Sequence, residues 1–149
     1  MNAFGGRDIE DLMPGMHASF TKTISAQDID GFARVSGDDN ALHLNEDYAR
    51  LTRFGGRIAH GMLTGSLISA ALAKHLPGPG AVYLSQQLEF LAPVRPGDSV
   101  TATVTVSAVD RAAARVALST TCHVGARLVL QGEARLKTTS RNPANAHHD

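Results

Sequence analysis

The sequence predicts an α+β fold in which one antiparallel sheet curls around a single long helix. Two features of the 149-residue chain lead to this prediction. One long helical segment is almost free of charge, and the second half of the chain alternates with the two-residue period of strands. Tight polar turns between the alternating segments favour antiparallel strands. We expect residues 1–139 to form one domain and the polar tail, residues 140–149, to be disordered.

The bulk composition excludes several classes of protein. Hydrophobic residues make up 43% and charged residues 19% of the chain, as in ordinary globular domains, and the net charge is zero. This balance predicts no nucleic-acid partner and no attraction to an acidic membrane. No run of apolar residues reaches the roughly 20 that a membrane-crossing helix needs. The one cysteine, Cys122, cannot close an internal disulfide, and we expect a buried thiol in a cytoplasmic protein.

Before the long helix the sequence predicts one strand and two short helices. Met16–Thr23 alternates loosely, as strands do. Ser25 and Asp28 have the spacing of a capping box, which opens a helix that ends in the turn residues 36–40. Asn45 is expected to cap the second, shorter helix.

The long helix is predicted over Gly61–His75, where Lys74 is the only charged residue. Because apolar or small residues surround this segment on all sides, we expect it to be buried over most of its circumference. The Pro-Gly-Pro-Gly sequence at 77–80 ends it. Beyond Gly80 the pattern predicts four strands: Val82–Phe90, Val100–Val106, Val116–His123 and Leu128–Thr138.

A carboxylate and an imidazole stand close together in the segment Ser36–His43. Ionised Asp38 can only accept hydrogen bonds, whereas His43 can accept or donate a proton near neutral pH. Such a pair could hold a water and withdraw its proton, as hydration of a polarised double bond requires. Asn40 lies between them and could fix the turn. Since these residue types are also common in turns and caps, the spacing alone leaves a structural role open.

The start of the long helix, Ile58–Met62, is the second candidate for chemistry. The first N–H groups of a helix have no partner within the helix and carry partial positive charge. Gly61 has no β-carbon, so a thioester carbonyl could approach its N–H and be polarised there. The structural alternative is close packing of the helix start, with His60 as a cap or a partly buried side chain.

Together these segments resemble the MaoC-like family of (R)-specific enoyl-CoA hydratases, whose members have a hot-dog fold. The family's characteristic string is matched here by Ser36, Gly37, Asp38, Asn40, Leu42, His43 and Ala49. The resemblance continues through Phe54–Gly56, Ile58–Met62, Val82–Pro93 and Val94–Asp98. It therefore covers about residues 15 to 138 in the right order.

The resemblance implies an enzyme that reversibly adds water to a trans-2-enoyl-CoA and gives an (R)-3-hydroxyacyl-CoA. Asp38 and His43 would be the catalytic pair, and the Gly61 N–H would be the oxyanion donor. Ser69 would support the pair, with Ser66 as the competing choice. Four residues are expected to bind the substrate: Asn40, Arg57, His60 and Met62. No metal or redox cofactor would be needed, and the protein would form a homodimer.

The sequence departs from the family pattern at two positions. Ala41 stands where proline is usual, which should loosen the turn between Asp38 and His43 without removing either group. Arg57 also replaces a common proline, and its side chain could contact a CoA phosphate or point into water.

Three other functions stay open on the sequence. A hot-dog thioesterase would normally have a carboxylate on or near the central helix, but Gly61–His75 contains neither Asp nor Glu. A dehydratase acting on an acyl carrier protein would run the same reaction in reverse. A non-catalytic acyl-CoA-binding subunit would need neither Asp38 nor His43, so their joint presence argues against it.

Overall fold

The computed structural model describes residues 1–145. After a 3-10 turn at Ile9–Asp11 come strand β1 (His17–Thr23) and three helices, α1 (Ala26–Ser36), α2 (Ala41–Leu44) and α3 (Glu46–Arg50). The long helix α4 spans Gly61–Lys74. Four strands follow: β2 (Val82–Phe90), β3 (Ser99–Asp110), β4 (Arg115–Val124) and β5 (Arg127–Lys137). Within these described residues, no helix has the length and apolar character needed to cross a membrane.

All five strands form one antiparallel sheet in the order β1-β3-β4-β5-β2. Strands β3, β4 and β5 pair with their neighbours through the tight turns that the sequence predicts, while β1 and β2 form the two edges. Alternate residues of β3 are buried, which makes one face of the sheet apolar: Val100, Ala102, Val104 and Val106. On the opposite face, the hydroxyls of Thr101 and Thr103 bond to hydroxyls of β1.

Helix α4 packs on the apolar face and crosses the sheet from edge to edge. At its start, Gly61 lies against the ring of Phe90 in the edge strand β2. At its end, the Lys74 ammonium nitrogen lies 5.3 Å from the ring centroid of Phe20 in β1, the opposite edge strand. Its buried residues form the core with the strands: Leu63, Leu67, Ile68, Ala71 and Leu72. The predicted sheet wrapped around a long helix is therefore confirmed.

Two local predictions differ from the structure. Helix α2 is not predicted from the sequence. Residues 36–40 are typical of a turn, and the pattern does not indicate that Asn40 caps a helix. The expectation that α4 is buried over most of its circumference is wrong for the single chain. Met62, Ser66 and Ala73 are exposed along one side of α4, so burial is confined to the face on the sheet.

The prediction of disorder for the tail 140–149 is wrong for residues 140–145, and 146–149 lie outside the described residues. The guanidinium of Arg141 forms an ion pair with Asp11 at 2.8 Å. This side-chain hydrogen bond holds the pKa of the Asp11 carboxyl below its usual value. The tail thus begins as part of the packed structure, against the first turn of the chain.

Candidate active site

Helix α1 ends in a left-handed turn that presents Asp38. Gly37 has a φ of 83°, a conformation that glycine adopts without steric cost. The Ser36 hydroxyl donates to the Phe32 carbonyl and accepts the Asp38 N–H, so the backbone of Asp38 is tied to the end of the helix. One carboxylate oxygen of Asp38 accepts a long, 3.3 Å bond from the Asn40 N–H. Both oxygens can therefore still accept hydrogen bonds from a ligand.

Helix α2 positions His43 and a carbonyl group selects its tautomer. The helix is capped by Asn40, whose Oδ1 accepts the Leu42 N–H at 3.0 Å. Nδ1 of His43 lies 2.8 Å from the carbonyl oxygen of Ile58. Because a carbonyl oxygen can only accept, we assign the hydrogen to Nδ1, which leaves a lone pair on Nε2. Nε2 is thus the atom that can take a proton from a ligand.

His60 joins these two groups. Its side chain is buried, with 2% of the residue exposed, and its Nε2 lies 2.9 Å from the carbonyl oxygen of Asp38. By the same argument Nε2 carries the hydrogen and Nδ1 does not. The ring stacks on that of His43, with centroids 3.9 Å apart and planes at 27°. Of the two structural alternatives for His60, the side-chain cap is excluded, because His60 makes no side-chain bond to the start of α4, and the buried side chain is observed.

The spacing of Asp38, His43 and His60 suits a bound oxygen atom. Their ligand-capable atoms all lie within 4.8 Å of one another. Two acceptors no farther apart than this can share a water at an ordinary hydrogen-bond length of about 2.8 Å from each. A tetrahedral zinc ion would hold its ligand atoms about 3.4 Å apart, since each metal–ligand bond is about 2.1 Å. That no metal takes part stays a prediction.

Gly61 begins α4, where its N–H has no partner within the helix. A β-carbon built on Gly61 would be 2.6 Å from two atoms of the Phe90 ring. Glycine is thus required here by the close approach of Phe90. We expected the missing β-carbon to leave room for a ligand, but the ring of Phe90 occupies that space.

A cavity of about 660 Å³ contains these groups. Asp38, His43 and His60 line it together with the helix start at Gly61 and Met62. Its other walls are largely apolar: Ile58, Ala59, Phe90, Leu91, Val94, Val129 and Leu130. A few convergent polar groups in an apolar cavity of this size are typical of small-molecule sites.

Three predicted site residues do not line the cavity. Asn40 uses its side chain to cap α2, and is therefore a structural residue of the loop. The Ser66 hydroxyl donates to the carbonyl of Leu63 in its own helix, at 2.6 Å. Ser69 is half-buried, and it too is absent from the cavity wall. The structure therefore brings neither serine to Asp38 and His43.

Arg57 is also directed away from the cavity. Its Nε donates to the carbonyl oxygen of His43 at 2.6 Å, and its guanidinium pairs with Asp30 of α1 at 2.9 Å. The side chain is only 16% exposed. These contacts favour neither of the two expected roles, since Arg57 ties the end of α2 to α1.

The cavity wall includes four side chains that sequence reasoning missed. Thr64 is buried and lies three residues after Gly61, a spacing that places both on one face of α4 and could have revealed it. Phe90 contacts Gly61 from β2, and no local sequence pattern predicts that contact. Arg53 and Arg95 stand at the cavity as well, on the loops that follow α3 and β2. They supply positive charge where a phosphorylated substrate could reach.

Comparison with known proteins decides the family. A model described as the MaoC-like domain matches residues 12–126. The chain belongs to the MaoC-like family. This MaoC-like domain is 52% identical over 132 residues to the (R)-specific enoyl-CoA hydratase of Rhodospirillum rubrum, covering 89% of this chain and 92% of that protein. It is 48% identical to the 3-hydroxybutyryl-CoA dehydratase of Methylorubrum extorquens, covering 91% and 87% of the two chains.

Solved structures agree with the fold. The unliganded R-hydratase of Pseudomonas aeruginosa superposes on the MaoC-like domain with a TM-score of 0.86 at 40% identity, over 91% of this chain and 88% of that one. The (R)-hydratase of Aeromonas caviae gives 0.84 at 40% identity, over 87% and 98%. The predicted hot-dog fold is therefore confirmed.

Proposed function

We propose that this protein is an (R)-specific enoyl-CoA hydratase, which adds water reversibly to a trans-2-enoyl-CoA. The observation that supports this most directly is the pairing of Asp38 with the proton-accepting Nε2 of His43 at one cavity. Relatives at 52% and 48% identity are named as a hydratase and a dehydratase of CoA thioesters. Those two names describe the same reaction in opposite directions.

The chemistry follows from the two side chains. A water between Asp38 and His43 donates one hydrogen bond to the carboxylate and the other to Nε2 of the imidazole. As its oxygen bonds to C3 of the enoyl group, one O–H bond breaks and His43 takes the proton. The imidazolium then returns that proton to C2. Because both events occur on the side of the substrate that faces the pair, the addition is syn.

The start of α4 is proposed to bind the thioester oxygen of the substrate. Negative charge develops on the thioester oxygen when water attacks the conjugated double bond, and the Gly61 N–H is the donor proposed to meet it. Removal of one such donor typically costs about 3 kcal/mol of transition-state stabilisation. The exposed side chain of Met62 lies beside this donor in the cavity wall and is proposed to contact the substrate.

The reaction is redox-neutral, so it requires no electron carrier, and the pair supplies the proton transfers that a metal-bound hydroxide would otherwise provide. We therefore propose that the enzyme uses neither a metal nor a redox cofactor, and that coenzyme A enters as part of the substrate. We further propose a place in acyl-CoA and fatty-acid metabolism, and a cytoplasmic location. Arg53 and Arg95 at the cavity suit the phosphates of coenzyme A.

A homodimer is part of the proposal. Strand β2 is an edge strand, and an unpaired edge tends to pair with another chain. Large apolar side chains on and beside this strand are exposed in the single chain: Val82, Tyr83, Leu84, Phe90 and Leu91. Pairing of two β2 strands would satisfy the free edge and cover part of these side chains. Light scattering on a sizing column tests this, with twice the 15.7 kDa chain mass expected and a monomer counting against it.

The test of function is the loss of enoyl-thioester absorbance when the purified protein is mixed with crotonyl-CoA, followed by chiral analysis of the product. Rapid loss that gives the (R)-3-hydroxy thioester is the expected result. If crotonyl-CoA and a longer enoyl-CoA are both unchanged, the same assay is repeated with an enoyl-carrier-protein substrate. Activity there would mean that only the proposed carrier, coenzyme A, is wrong, and no activity would mean that the proposed reaction is wrong.

Matched variants connect the reaction to the pair. Asp38→Asn and His43→Gln should each lower turnover by about 100-fold or more, since positioned acid–base groups contribute roughly 10²–10⁴-fold. Asp39→Asn changes the neighbouring exposed carboxylate, which does not line the cavity, and should leave turnover unchanged. His123→Gln on β4 is the corresponding control for the imidazole. Near-normal activity of Asp38→Asn or His43→Gln would show that the site is wrongly assigned.

A further inference from the structure

His60 has a combination of properties that substrate binding does not explain. It is 2% exposed, it bonds to the backbone of one proposed catalytic residue, and it stacks on the side chain of the other. Among the described residues no group bonds to its buried Nδ1. A buried polar atom without a hydrogen-bond partner is rare, so the position of the His60 side chain calls for an explanation from its other contacts.

The first contact acts on Asp38. The Nε2–H of His60 donates to the Asp38 carbonyl oxygen at 2.9 Å, which links the loop after α1 to the residue that precedes α4. That loop is otherwise exposed from Gly37 to Asn40. The bond therefore limits the movement of an exposed segment whose carboxylate has to reach the substrate.

The second contact acts on His43. The imidazole rings of His43 and His60 stack with their centroids 3.9 Å apart. The ring of Phe32 also contacts the His60 ring, with centroids 4.8 Å apart. His60 thus contacts an aromatic ring as well as the proposed base. Rotation of the His43 ring about its χ2 angle would break the bond from Nδ1 to the Ile58 carbonyl, and any rotation out of the present plane would also disrupt the stack.

We infer that His60 is a positioning residue for the proposed hydration reaction: its bond to the Asp38 carbonyl and its stack on His43 set the two catalytic groups relative to each other. This inference rests on the proposed function. The substrate meets Asp38 and His43, and His60 acts through them. The absence of a partner for Nδ1 fits this role, because the ring is oriented by its Nε2–H bond and its faces.

Two variants separate the two contacts. His60→Gln can keep an N–H donor near the Asp38 carbonyl but removes the aromatic ring. His60→Phe keeps a ring that can stack on His43 but removes the donor. Each should lower kcat for crotonyl-CoA by about 10- to 100-fold, since displacement of reacting groups by about 1 Å costs up to 10²-fold. KM should change by less than about 3-fold.

A spectroscopic measurement detects the positioning independently of activity. In ¹⁵N NMR of the imidazoles of the whole protein at neutral pH, wild-type His43 should carry its hydrogen on Nδ1 and wild-type His60 on Nε2. In His60→Gln, His43 should become a mixture of tautomers, and in His60→Phe it should keep the Nδ1–H form. Circular dichroism and thermal unfolding establish that each variant is folded, and either folded variant is sufficient for the test.

The outcomes distinguish this inference from the proposed function. Near-normal kcat in either folded variant, or a raised KM with unchanged kcat, would overturn the positioning role; the second result would make His60 a substrate-binding residue. If the wild-type protein hydrates no enoyl thioester, the proposed function fails. The NMR experiment then still decides the inference, because an unchanged His43 tautomer in His60→Gln would refute it.

Discussion

The ring of Phe90 lies against Gly61 so closely that no other residue fits at the start of α4 without a rearrangement. A β-carbon on Gly61 would be 2.6 Å from two ring atoms, well inside van der Waals contact. Phe90 is also 55% exposed in the single chain and lines the cavity. One contact therefore joins the edge strand, the proposed oxyanion donor and the wall of the substrate site.

Gly61→Ala should destabilise the protein by about 1–3 kcal/mol, because an added methyl group overpacks the contact with Phe90. Urea unfolding measures the change, and turnover should fall as the N–H or the ring is displaced. Gly65→Ala is the matched control one turn later. There the nearest atom is the end of the flexible Leu88 side chain at 3.2 Å, and alanine favours the helix by about 1 kcal/mol. Equal losses in both variants would contradict the role assigned to Phe90.

Asn40→Ala should lower the free energy of unfolding by about 1 kcal/mol, since the cap on the Leu42 N–H is lost. We expect kcat to fall as well, because the capped helix holds His43, while KM stays nearly constant. Asn40→Ser retains a capping oxygen and should recover most of the stability. Should Asn40→Ala raise KM alone, the side chain would have the substrate-binding role first predicted for it.

Ala41→Pro should stabilise the protein by about 0.4–1 kcal/mol. Ala41 is the first residue of α2, a position where proline sacrifices no helical hydrogen bond, and the preceding Asn40 has a ψ of 131°, which proline tolerates. Thermal unfolding measures the gain. Leu42→Pro is the opposite control, because it removes the N–H that Asn40 accepts, and it should destabilise. A loss of stability with Ala41→Pro would show that the turn cannot accommodate the family's usual residue.

Arg141→Met should lower the melting temperature at pH 7, and the difference from wild type should shrink in acid. The Arg141 hydrogen bond lowers the pKa of Asp11 from its ordinary value of 3.8. A lowered carboxyl pKa in the folded state adds stability above the ordinary pKa, and that stability is lost as the pH falls through the folded value. Melting curves from pH 7 to pH 3 test the trend. Arg135→Met, which removes an exposed pair with Glu133, is the control and should have little effect.

Cys122 should not react with a thiol reagent in the folded protein. It is fully buried, and burial raises the pKa of its thiol to about 12, so very little reactive thiolate is present at pH 8. One thiol per chain should titrate only after unfolding in urea. The same property permits a test for thioesterase activity, because coenzyme A released from an acyl-CoA would be detected without background from the protein. Rapid labelling of the native protein would contradict the burial.

The sequence predicted the fold well because periodicity and turns carry most of its information. The alternation of β3 and the capping box at Ser25 and Asp28 are local patterns, and both appear in the structure as expected. Helix α2 was missed because helix caps and turns use the same residue types, so the cap at Asn40 could not be distinguished from a turn. The exposed side of α4 could not be predicted, since small apolar residues do not indicate which neighbours cover them.

The site was predictable in part, for a similar reason. Asp38, His43, His60 and Gly61 fall within 24 residues of one another, and the structure brings them together at one cavity. The expectation for Ser69 rests on the resemblance alone, and the one for Arg57 rests on its position where the family commonly has proline. Their side-chain directions depend on Asp30 and on the rotation of α4 relative to the sheet, which are tertiary features. Phe90 could not be foreseen, because its contact with Gly61 spans 29 residues and no pattern records it.

The two halves of the cavity wall come from separate stretches of the chain. Its proposed acid–base residues, Asp38 and His43, come from one short early stretch, whereas many of its apolar side chains come from the loop after β2 and from β5. Duplicated copies of such a gene could therefore diverge in the acyl groups they accept while inheriting the same reaction unchanged. Selection for a new substrate would act first on the later stretches, where substitutions leave the acid–base machinery intact.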